Sequence, residues 1–252
     1  MNAEEREALS KVPEVTLVFW VIKILATTLG ETAGDAVSMS MDLGYLVSTG
    51  IFAAIFVVAV IAQVAAKRFH PLLYWTTIIA TTTVGTTLAD FADRSLGIGY
   101  TGGTTILFTL LMASLLLWYR DLGSVAVDTV GSPRSEMYYW ITIMFSQTLG
   151  TALGDWTADT AGLGYGGGAI VFGAMLAFIA LLYYRTTISR TALFWAAFIL
   201  TRPLGAVVGD FLDKPVSKGG LEFSRYTASA ALLALIMLGI VMSSRQAARQ
   251  RQ

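Results

Sequence analysis

Apolar residues gather in eight stretches, at about residues 14–36, 48–66, 71–93, 102–119, 136–157, 167–184, 190–212 and 225–243. Each is close to the ~20 residues that cross a bilayer as a helix. A spanning helix satisfies its own backbone hydrogen bonds, which lipid cannot do. The pattern predicts eight transmembrane helices. The stretches alternate in kind. The second, fourth, sixth and eighth have no acidic stripe. The first, third, fifth and seventh carry polar residues at steps of four, which share one helix face. Those stripes are Lys23, Thr27, Glu31, Asp35; then Ile78, Thr82, Thr86, Asp90, Arg94; then Ile143, Gln147, Thr151, Asp155, Asp159; and Phe198, Arg202, Ala206, Asp210, Lys214. The four striped helices are expected to line the interior and the others to face lipid.

The stripes are in register because the chain is a fourfold repeat. Trp20, Trp75, Trp140 and Trp195 each follow an aromatic residue: Phe19, Tyr74, Tyr139 and Phe194. Ten residues on come Gly30, Gly85, Gly150 and Gly205, and four further a small residue: Gly34, Ala89, Gly154 and Gly209. Asp35, Asp90, Asp155 and Asp210 follow at once. Spacings of 55, 65 and 55 residues keep the register. A common offset of 120 residues between halves (Gly30 to Gly150, Gly85 to Gly205) implies two successive duplications. Two helices per repeat give every repeat the same direction. The fold class is thus all-α integral membrane, with four parallel two-helix repeats around a pseudo-fourfold inner bundle. It forms one transmembrane domain, 1–252, with halves at 13–125 and 134–245. The repeats lie at about 14–68, 69–120, 134–186 and 189–244.

Composition agrees with a membrane solvent: 55% hydrophobic, 13% charged, mean hydropathy +0.66. The acidic opening (Glu4, Glu5, Glu7) does not read as a signal peptide. There is no cysteine, and one histidine, His70, sits in a basic loop and receives no catalytic role. Zero net charge gives nucleic acid no electrostatic footprint. With both termini in the cytoplasm, eleven Lys and Arg lie inside and four (Arg94, Lys214, Lys218, Arg225) outside, as the positive-inside rule favours. The expected location is a bacterial inner membrane, with the bilayer as partner; a homo-oligomer is compatible with the sequence.

Depth follows from helix rise. If the aromatic–Trp pairs mark the inner interface, the glycines fall ~15 Å in and the aspartates ~22 Å in. A carboxylate at such depth costs at least ~2.5–3.5 kcal/mol unless it is paired or has a function. The plainer reading of the glycines is close helix packing; that of the aspartates is helix capping or pairing with Lys23 and Arg202. Counting Glu31, Asp35, Asp90, Asp155 and Asp210 against the counter-ions Lys23 and Arg202 leaves −3. That sign calls for cations or protons. Carboxylates with neutral oxygens from Thr27, Thr82, Thr86, Thr151 and Gln147 suit a hard divalent ion such as Mg²⁺, Ca²⁺ or Mn²⁺. Neighbouring acids titrate together, so proton coupling is expected. Arg202 should contact one or more repeat aspartates, most easily Asp210 of its own helix or an acid of a neighbouring helix, and Pro203 beside it should bend its helix. The expected function is a cation transporter with the five acids as the metal- or proton-binding set and no cofactor beyond a bound divalent cation. The alternatives are a cation or proton channel and a non-transporting scaffold. No nucleophile–base set or cofactor fingerprint points to an enzyme.

The four Phe/Tyr–Trp pairs and the Gly-x-x-x-Gly/Ala-Asp phrases resemble a bacterial membrane-protein family catalogued as a repeat of unknown function. The resemblance spans nearly the whole chain and implies fold and location, without an activity. Gly30-Glu31 with Gly34-Asp35 is loosely similar to the Glu-x-Gly-Asp phrase of small Mn²⁺ or Ca²⁺ exporters, but the spacing differs by one residue. Gly44-Tyr45, Gly99-Tyr100 and Gly164-Tyr165 resemble a channel filter in placement only; they read as turns, too short for a pore helix and filter.

Overall fold

The structure is a computed structural model that describes residues 10–250, with side chains to residue 244. Among the described residues there are eight long helices and no strand. They are α1 (Leu17–Asp35), α2 (Gly44–Ala65), α3 (Pro71–Asp90), α4 (Gly99–Leu122), α5 (Pro133–Asp155), α6 (Gly164–Arg185), α7 (Arg190–Asp213) and α8 (Arg225–Gln250). Local chemistry sets the starts. The Thr16 side chain accepts from the Phe19 amide, and the Ser189 side chain from that of Ala192. Pro71 and Pro133 open α3 and α5, where a missing N–H costs nothing. Ser132 and Ser135 add a reciprocal cap to α5.

The odd helices end in an unusual way. Directly after Asp35, Asp90 and Asp155 the chain widens into a π turn, at Ala36–Ser40, Phe91–Ser95 and Trp156–Thr160. Such turns are rare and concentrate at functional sites. Three residues then separate each turn from Gly44, Gly99 or Gly164, whose φ values of 72°, 75° and 64° favour glycine. The Gly-Tyr pairs are therefore the first residues of α2, α4 and α6, which begin three or four residues earlier than the hydropathy pattern indicates. Repeat 4 lacks the π turn. There α7 continues to Asp213, and its α-helix runs uninterrupted through Pro203.

Helix contacts form a closed ring. α1 packs on α3, α3 on α5, α5 on α7, and α7 back on α1. Each even helix leans on the next repeat: α2 on α3, α4 on α5, α6 on α7, and α8 on α1. The odd helices are buried along most of their length. The even ones expose long apolar side chains such as Leu46, Val58, Ile61, Phe108, Ile170, Phe178 and Leu238. The expected inside–outside division holds. Six of the eight helices are long and apolar enough to cross a membrane. The other two, α3 and α5, are ring helices whose polar residues point into protein. α3 alone has seven threonines, and five of them are fully buried.

The glycines lock the ring. A Cβ on Gly30 would collide with Thr82, on Gly85 with Gln147, on Gly150 with Arg202, and on Gly205 with Thr27. In every case the partner lies three residues before the next helix's own glycine. The same offset at all four seams requires parallel, in-register helices. Trp75, Trp140 and Trp195 are buried against neighbouring helices. They pack edge to face with the residue before them, and Trp195 also donates to the Val125 carbonyl at 2.9 Å.

Candidate functional site

The in-register helices stack their inward residues in levels about one turn apart. Phe19, Tyr74, Tyr139 and Phe194 close one end. All four are buried, and the Tyr74 and Tyr139 hydroxyls hydrogen-bond at 2.6 Å. Next come Lys23, Ile78, Ile143 and Phe198, then Thr27, Thr82, Gln147 and Arg202; none of these is more than 1% exposed. Glu31, Thr86, Thr151 and Ala206 form the next level. Above them stand Asp35, Asp90, Asp155 and Asp210, at 0–3% exposure. A mouth cavity of about 680 Å³ opens over the aspartates, lined among others by Arg94, Lys214, Lys218, Arg225, Tyr100 and Tyr165.

The aspartates are bridged in pairs. Arg94, one turn beyond Asp90 across the π turn, places Nε 3.1 Å from Asp90 Oδ1 and Nη2 3.0 Å from Asp155 Oδ2. Tyr45 and Tyr100 hydroxyls accept from the same guanidinium, each at 3.1 Å. Lys214 does the same in the other half: its Nζ contacts Asp35 Oδ2 and lies 3.1 Å from Asp210 Oδ1. Arg94 and Lys214 are 120 residues apart, so the counter-ions obey the half-chain offset and break fourfold symmetry to twofold. Arg225 supports the second pair from α8. Its Nε donates to Asp213 at 3.0 Å, and its Nη2 is 3.8 Å from Asp35. Burial disfavours the Lys214 ammonium, but the carboxylates of Asp210, Asp35 and Asp213 outweigh it and hold its pKa above the ordinary lysine value.

These contacts correct the sequence-based charge count. Arg94 and Lys214 belong to the acid cluster rather than to free outer loops. Five acids then meet four bases, leaving −1 in place of −3. Of the two expected partners for Arg202, the structure selects the acid of a neighbouring helix. Arg202 Nη2 donates to Glu31 Oε2 at 3.0 Å and also to the Thr86 and Thr151 hydroxyls; it does not pair with Asp210. Asp210 lies eight residues along the same helix, ~12 Å away by rise alone. Glu31 is adjacent across the α1–α7 seam, where its side chain fills the space at Gly209. The other expected counter-ion, Lys23, meets no carboxylate; its Nζ sits 4.2 Å from the centre of the Phe198 ring.

The expected oxygen ligands separate into groups. Glu31, Asp35 and Asp210 each offer an oxygen within 4.8 Å of the others, and all three are buried. Asp35 Oδ1 has no hydrogen-bond partner. Asp90 and Asp155 lie apart from that trio, under Arg94. Thr86 donates to Glu31 at 3.2 Å and to the Gly30 carbonyl, and Thr151 accepts from Arg202. Thr27 donates to backbone carbonyls, including Thr201 across the seam at 3.1 Å, and acts as a packing residue. Gln147 is fully buried with neither amide atom partnered. The sequence did carry a signal for Arg94 and Lys214, which stand four residues after Asp90 and Asp210; the bridge to the neighbouring helix requires the ring.

No curated protein and no solved structure matches the chain. Four consecutive segments, residues 18–69, 73–121, 138–189 and 193–248, match the family described as Repeat of Unknown Function (DUF347). Those segments coincide with the four two-helix units of the ring and cover most of the chain, so the protein belongs to that family of tandem membrane-type repeats.

Proposed function

We propose that this chain spans a bacterial inner membrane eight times, with both termini cytoplasmic, and carries a cation through the aspartate ring. The donor set suits a hard divalent ion, exchanged with protons. One observation carries this reading: Glu31, Asp35 and Asp210, all buried, gather three carboxylate oxygens within 4.8 Å, and Lys214, which contacts both aspartates, lines the mouth cavity. In the proposed cycle, Lys214 and Arg94 hold the carboxylates in the resting state. An entering cation takes the place of Lys214 between Asp35 and Asp210, and the released ammonium turns into the mouth. The aromatic level at the far end, with its four buried rings, favours a carrier over an open pore. Orientation gains support too. Arg94, Lys214 and Arg225 are occupied by buried acids, so the mouth side keeps little free positive charge in its loops.

The near-neutral charge balance favours one rival, a membrane scaffold whose acids only pair. Purified protein in liposomes distinguishes them. Uptake and binding of Mn²⁺, Mg²⁺, Ca²⁺, K⁺ and Na⁺ are measured at two pH values, for the parent and for Asp35→Asn. The substitution keeps shape and hydrogen bonding while removing charge. A carrier loses flux by about tenfold or more in the variant, since a hard divalent ion depends on ligand charge. A parent that moves none of the five ions, or a variant as active as the parent, establishes the scaffold.

A further inference from the structure

Below the aspartate ring lies a second cluster of buried polar side chains that cation carriage does not use. Lys23 on α1, Gln147 on α5 and Arg202 on α7 project inward at two adjacent levels, and all three are 0% exposed. Lys23 Nζ, both Gln147 amide atoms, and Arg202 Nε and Nη1 have no hydrogen-bond partner. Buried polar atoms are nearly always satisfied, and an unsatisfied charged group costs the most. Two levels bound the cluster: the Phe19, Tyr74, Tyr139 and Phe194 rings lie below it, and Glu31 with Thr86 and Thr151 above it. Asp35 cannot serve Lys23, being twelve residues along the same helix, ~18 Å by rise.

The open positions have one chemical character. Lys23 offers ammonium protons, Arg202 two free nitrogens, and Gln147 an amide NH₂; among these three side chains the one free acceptor is the Gln147 carbonyl oxygen. Charge agrees. Glu31 is used by Arg202, so the pair of cations and one acid leave +1 in the cluster. A water would have to donate as well as accept there. A small anion accepts from all of them and cancels the excess charge. We propose that Lys23, Gln147 and Arg202 form a binding site for a small monovalent inorganic anion of the chloride class, between the aromatic level and the Glu31 level.

The test uses the full-length protein in detergent at fixed pH and ionic strength, with choline as the only added cation, so that failure of cation carriage leaves it untouched. Gluconate is replaced stepwise by chloride, and thermal unfolding is followed by tryptophan fluorescence. Chloride should raise the midpoint by roughly 2–4 °C or more once well above its dissociation constant. Lys23→Met, which keeps the volume and removes the charge, should abolish the rise. Absence of any rise in the parent, which would mean water alone or a neutral lysine, overturns the site; so does an equal rise in the variant. Should Lys23→Met fail to fold, crystals of the parent grown in bromide decide. An anomalous peak between Lys23 and Arg202 supports the site, and none there refutes it.

Discussion

At the scale of single residues, Arg202 is the position whose loss should be felt most. It is the largest charged side chain fully enclosed in the ring, and it joins α7 to Glu31 of α1, Thr86 of α3 and Thr151 of α5. Arg202→Ala leaves Glu31 buried without its counter-ion, which typically costs about 3–5 kcal/mol. Glu31→Gln in the same chain should recover much of that loss, because a neutral amide needs no cation. Unfolding of the parent, single and double variants in detergent measures the recovery; equal losses in single and double variants would rule the pairing out as the cause. Lys214 behaves differently with pH. Its pKa is raised in the folded protein, so its contribution is complete below the unfolded value near ~10.4 and fades only as pH climbs through the folded value. Between pH 5 and 9 the Lys214 charge is constant, and any change in ion handling over that range must come from other groups.

Among helices, the seams decide what can be altered. Each seam is a glycine against a side chain three residues before the next glycine, and at Gly150 that side chain is Arg202 itself. Gly150→Leu should drive α5 and α7 apart and reduce the monodisperse yield severely, as seen by size-exclusion chromatography. Gly173→Leu, where a new Cβ meets nothing within 4 Å, is the matched control and should leave the yield unchanged. Much of this level was legible in the sequence. The Trp-to-Gly-to-Asp phrase located the ring helices, and steps of four identified their inner faces. What the sequence hid was the end of each helix. The π turns after Asp35, Asp90 and Asp155 follow no composition rule, yet the one after Asp90 carries Arg94, which reaches back to the aspartates. An ordinary reading of loop charge therefore placed Arg94 and Lys214 in solvent and overstated the negative charge of the site.

For the molecule as a whole, the path of the even helices matters more than their number. A helix that leans on the following repeat makes no repeat self-sufficient, and the last must return to the first. That return is α8 on α1, where Gly239 sits against Ile22. It was invisible to hydropathy, which records how apolar a helix is and not which neighbour it covers. The same geometry gives each half of the chain one borrowed and one lent arm: α4 lies across α5, and α8 across α1. Cut between Leu122 and Pro133, the two pieces would still present complementary seats, since both exchanges are between halves. Co-expressed fragments 1–127 and 128–252 should therefore co-purify as one complex, and neither should be stable alone; recovery of either fragment as a folded monomer would contradict it. The chain is thus a dimer written as a single polypeptide, its two halves clasping each other by reciprocal arms.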